Sequence, residues 1–98
     1  MIIIRFDNDI VTHGEWAVEY DYGHVSVGSV REIILEVVPD LVAYLDSLVR
    51  GDRVPVRVRE NTGPLINYWA QIINLVQLTN KRVCVLLDLR PMALEGPL

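Results

Sequence analysis

The stretch best suited to chemistry is Gly23 to Arg31. Gly23 and Gly28 have the outer spacing of a phosphate loop, and Ser26, Ser29 and Arg31 add two hydroxyls and a guanidinium. If a helix begins at Ser29, its free backbone N–H groups face this loop and suit a phosphate or carboxylate. The Lys-Ser/Thr pair of a full phosphate loop is replaced by Ser29-Val30, so the motif is incomplete. The plainer reading is that the glycines serve the turn and Ser29 caps the helix.

Other reactive side chains are scattered. Asp7-Asn8-Asp9 reads as a turn, because the Gly and closing Glu of a calcium loop are absent. His13 and His24 fall at opposite ends of an extended segment, too far apart to share a metal without a bend. Cys84 sits in the apolar run Val-Cys-Val-Leu-Leu, where a thiol behaves as a small hydrophobe. Asp88, near the end of that run, is the one carboxylate placed for ligand chemistry in an open α/β sheet, although strand-end acids more often pair, here with Arg90. No catalytic residue, metal site or cofactor is therefore assigned.

Bulk properties narrow the classes. The 98 residues make one domain, with 51% apolar and 22% charged residues, a composition for a globular chain rather than a disordered one. The net charge of −4 argues against general nucleic-acid binding. No run is long and apolar enough for a membrane span, and Met-Ile-Ile-Ile-Arg-Phe lacks the parts of a secretory signal. A single cysteine makes a reducing cytoplasm the default. Eight arginines against one lysine match a GC-rich bacterial genome.

The elements that would position these residues are read from periodicity. Residues 1–6 read as a buried strand, and residues 15–22 as a half-buried strand with an acidic outer side. Ser29 to Gly51 reads as one long amphipathic helix, with Ser29 and Glu32 as a capping box and a kink at Pro39. Residues 53–60 alternate Val with Arg and form a third strand, set at a sheet edge by Pro55. Residues 64–79 contain no charge and read as a second helix with an amide stripe. Residues 83–89 read as a central strand, and 91–98 as an extended tail. The expected fold is a small two-layer α/β sandwich of about four strands, mixed or mostly parallel, and two helices, in the order β-β-α-β-α-β.

This reading favours a non-enzymatic protein-interaction module, of regulatory, adaptor or immunity type. The charge-free helix with its stripe Asn67, Gln71 and Asn74 suits an interface core. With both helices on one side of the sheet, Ile3 and Cys84 or Leu86 are left on an apolar sheet face for the tail or a partner to cover. Glu32, Glu36 and Asp40 recur every four residues as an acidic ridge, and Arg53, Arg57 and Arg59 form a basic row. The two charged surfaces should look away from one another and pair only between molecules. The expected partner is another protein or a second copy, not nucleic acid or membrane. The alternative is a small anion- or nucleotide-binding domain using Gly23–Arg31.

Overall fold

A computed structural model describes residues 1–17 and 30–92. Its elements are β1 (Ile2–Phe6), β2 (Val11–Trp16), β3 (Val30–Glu36), α1 (Leu41–Leu48), β4 (Val54–Glu60), β5 (Leu65–Gln77) and β6 (Arg82–Pro91). The strands close into a barrel in the order β1-β2-β3-β6-β5-β4, and every pairing is antiparallel. The expected α/β sandwich is thereby corrected. One short helix is present among the described residues, and no two of their strands pair in parallel.

Two segments account for the difference. The first is Ser29–Gly51. Its periodicity predicts a continuous helix kinked at Pro39, but the element changes type before that residue. Val30–Glu36 is a strand, and the helix starts only at Leu41, after Asp40 has taken a left-handed conformation (φ 69°). The β-branched residues Val30, Ile33 and Ile34 favour this outcome, and a proline inside a helix costs about 3 kcal/mol. The second is residues 64–79. β5 spans thirteen of them, rich in Ile, Leu, Tyr and Trp, and makes ladders with β4 and β6. A register shift between Ile72 and Asn74 adds one residue to β5 and reverses its phase. That slip hides the period of two from sequence inspection.

Alternation fills the interior. β1 turns Ile2, Ile4 and Phe6 inward, β3 turns Ile33 and Leu35, and β4 turns Val56 and Val58. Ala70 and Ile72 come from β5, and Val83, Val85, Leu87 and Leu89 from β6. β4 is paired on both sides, so it is not the edge strand that Pro55 suggested. The ladder with β1 ends at Phe6–Val56, one residue short of Pro55, so the missing N–H costs no bond there. Among the described residues β2 and β3 share three register pairs, Gly14–Leu35 to Trp16–Ile33. Thr12 extends their contact, its buried hydroxyl donating to the Glu36 carbonyl at 2.6 Å. A Cβ on Gly14 would strike the Ile34 carbonyl, so glycine is what lets β2 approach β3 this closely.

The crossover from β3 to β4 carries α1 over one end of the barrel. Eight residues are too few for a helix to be stable alone in water. Its stability comes from packing: Leu41 and Leu45 are 0% exposed within the core, and the Tyr44 ring meets Phe6 edge-on at 5.8 Å. Arg50 N–H donates to the Ile72 carbonyl at 2.7 Å and fixes the helix exit to β5. β6 runs through Pro91, so the tail expected from residue 91 begins later, and 93–98 lie outside the described residues.

Leu45→Ala should remove buried contacts that the rigid barrel cannot replace. We expect a loss of about 2–5 kcal/mol in denaturant unfolding. A change below about 0.5 kcal/mol, the range of ordinary surface substitutions, would show that α1 does not seal the core.

Candidate functional site

The barrel has two differently built outer walls. On β3, Val30, Glu32, Ile34 and Glu36 point outward, alternating with inward Arg31, Ile33 and Leu35. Register places Glu15, Ile34, Cys84 and Val76 in one row across β2, β3, β6 and β5. The next row is Glu32, Leu86 and Asn74. Outward positions of an antiparallel sheet are ordinarily polar, yet this wall carries an apolar strip: Ile34, Cys84, Leu86, Val76 and, at its end, Leu78. Val76 is 56% exposed and Leu78 50%. Glutamates border the strip along β2 and β3. A cleft of about 350 Å³ runs along this border, lined in part by His13, Glu15, Ile34, Glu36 and Arg82.

The opposite wall is basic. Around six strands, β4 lies three places from β3 in either direction. Here Arg5 faces Arg57 across the β1–β4 ladder, and Arg57 faces Asn67 on β5. The adjacent row is His13, Ile3, Arg59 and Leu65. Like charges directly opposite one another are destabilising. Arg5 is relieved by Asp9 at 2.9 Å, and the Arg59 Nε–H donates to the Gly63 carbonyl at 3.2 Å. Arg57 forms no ion pair with the described residues. It lines a cleft of about 380 Å³ together with Arg5, Asp7, Asp9, Pro55 and Asn67.

The residues singled out in the sequence separate into groups. Gly23, Ser26, Gly28 and Ser29 lie outside the described residues, and the element after them is strand β3, not a helix N-terminus. The dipole argument for an anion there therefore has no helix to rest on. Arg31 turns inward where β2 leaves the barrel and β3 enters, with its guanidinium 5.7 Å from the Trp16 ring centre. Burial, and after it the Glu60 carboxylate, push the Tyr68 phenol above its usual range, against the opposing pull of Arg31.

Of the acidic ridge, Glu32 and Glu36 share the β3 wall, whereas Asp40 sits apart as the N-cap of α1. Of the basic row, Arg57 and Arg59 share the β4 wall. Arg53 instead reaches across to the buried Asp88, at 2.7 Å between Nη2 and Oδ2, with Arg90 further off at 3.8 Å. Asp88 is thus a paired carboxylate on the outside of β6. Asn67, Gln71 and Asn74 do not form a helical stripe. They project from β5 at different levels: Asn67 in the basic cleft, Gln71 donating to the Gly51 carbonyl at 3.2 Å, and Asn74 beside Leu86.

His13 lies 3.0 Å from the Glu36 carboxylate on the barrel surface, and His24 lies outside the described residues. Among the described residues no group of three His, Cys, Asp or Glu is placed to hold a metal. No helix among them is long and apolar enough to cross a membrane. Of the apolar strip, the sequence places Cys84 or Leu86 on an uncovered sheet face but assigns Ile34 and Val76 to helices. Its signal is the lack of polar alternation in Val83–Leu87, which in the sequence reads as burial on both faces. Comparisons with protein-family models, with curated proteins and with solved structures return no match.

Cys84 reports on this strip. Its thiol is pushed up first by burial, then by the charge of Glu32, whose Oε2 accepts its hydrogen bond at 3.8 Å. Glu32→Gln removes that charge and should move the thiol titration, followed as alkylation rate against pH, toward lower pH. An unchanged profile would mean that Glu32 does not act on the thiol.

Proposed function

We propose that the chain is a non-enzymatic protein-interaction module whose docking surface is the outer strip of β3, β6 and β5. One observation carries this reading: Ile34, Cys84 and Val76 stand side by side across three strands on an outward face, with Leu86 in the adjoining row. Isolated exposed apolar residues are ordinary, but a contiguous group bordered by polar residues marks an interaction surface. The strip has the anatomy of an interface: an apolar centre, with Glu15, Glu32, Glu36 and Asn74 as its rim. Strand addition is not the mode of contact, because each described strand already pairs on both sides. Binding would proceed through side chains.

A photo-crosslinking amino acid placed at Val76 or Leu86, in the cells that make the protein, tests this. We expect a discrete adduct from both positions, lost when the partner position of the pair is changed to Lys. Crosslinkers at Asp46 and Thr62, on exposed sites away from the strip, should give none. Adducts of equal yield from all four positions, or from none, would refute the assignment.

A further inference from the structure

We propose that the chain associates with itself head to tail, the acidic, apolar wall of one copy seating on the basic wall of the next. The proposal rests on the docking strip described above and names its partner. Three observations carry it.

The first is position. The two walls occupy opposite sides of a closed barrel, so Glu32 and Arg57 of one molecule cannot meet each other. The second is charge. Two copies packed strip to strip would bring together two faces that both carry Glu15, Glu32 and Glu36, with Glu32 in the same row as Leu86, and like-charge contact across an interface is unfavourable. Packed basic wall to basic wall, Arg57 and Arg59 would meet the same penalty. The mixed arrangement sets the glutamates of one copy against the arginines of the next. The third is the state of Arg57. It faces Arg5 across the ladder and forms no ion pair with the described residues, in a cleft that it shares with Asp7 and Asp9, of which Asp9 is already taken by Arg5. An incoming glutamate would relieve that repulsion. Exposed Val11 and Leu65, each 48% exposed on the basic wall, supply apolar surface to meet Leu86 and Val76.

Such a contact is heterologous. Each copy keeps one unused wall, so association continues past the dimer, into a ring if the rotation closes and a filament if it does not.

Complementation decides it. Mass is followed by light scattering across a concentration series for the full chain, for Leu86→Lys and for Arg57→Glu. The full chain should grow beyond a dimer. Each variant, having lost one wall, should associate about tenfold more weakly or worse. Mixed in equal amounts, the two variants should form a species of twice the monomer mass that grows no further, because each contributes its one intact wall. Circular dichroism checks folding, and Val76→Lys and Arg59→Glu replace either variant that does not fold.

A full chain that stays monomeric throughout the series overturns self-association and leaves the strip to its crosslinking test. If Leu86→Lys blocks assembly and Arg57→Glu does not, the strip is the interface, but the copies meet face to face and the head-to-tail arrangement is wrong. If only Arg57→Glu weakens assembly, the strip itself is refuted as the docking surface.

Discussion

Closure of the backbone hydrogen-bond ladder is the constraint on which the rest of this structure depends. Each strand exposes N–H and C=O groups on two edges, and an unpaired buried group costs a lost hydrogen bond. The β1–β4 ladder joins the ends of the six-stranded sheet, from Ile2–Glu60 to Phe6–Val56, and removes both edges at once. Without it the sheet would present β1 and β4 to any passing strand. Closure also creates the space that alternation must fill. Fifteen buried apolar side chains of the described residues form this core, and the end where β3 leaves is sealed by Leu41 and Leu45 of a helix too short to stand alone. The helix, in turn, carries the chain from β3 to the far side of the barrel, so the order 1-2-3-6-5-4 contains a Greek-key arrangement on each flank.

Closure also shapes the surface. With each described strand paired on both sides, the barrel offers a partner its outward side chains, and those divide into two opposed walls. One combines glutamates with Ile34, Cys84, Leu86 and Val76, the other arginines with Ile3, Val11 and Leu65. The charges are outside and the apolar residues inside, the reverse of a lipid-facing barrel. The apolar strip is thus an exception on a wall that otherwise follows the rule. Its row passes through β6, the strand whose inner side supplies four core residues.

How much of this was legible in the sequence depends on which residues carried two meanings. β1, β4 and β6 show strand character in their residue types alone. β3 does not, because Ser29 and Glu32 match a helix cap, and the pairs Ile33–Ile34, Val37–Val38 and Leu41–Val42 fall at helical spacing. The same residues serve a strand, a turn and a short helix in succession, and Pro39 marks that break. β5 loses its period of two at the register shift after Ile72, and its two ends are apolar on both sides, as Leu65–Ile66 and Leu75–Val76 show. The charged residues are less sensitive to the type of element. A spacing of four returns to the same face in a helix and in a strand, so Glu32 and Glu36 stay on one face under either assignment. Asp40 does not, since the strand has ended before it. Arg57 and Arg59 keep the period of two, and Arg53 leaves the row because the buried Asp88 claims it. Part of each charged row therefore stays together although the fold around it is a different one.

The most direct test of the opposed-wall account is methyl-resolved NMR along a dilution series of the unmodified chain. The account predicts that resonances of both walls, Ile34, Leu86 and Val76 on one and Ile3, Val11 and Leu65 on the other, move together with concentration. Core methyls of Ile4, Ile72 and Leu87 should hold still. Movement of one wall without the other, or of neither, would contradict it.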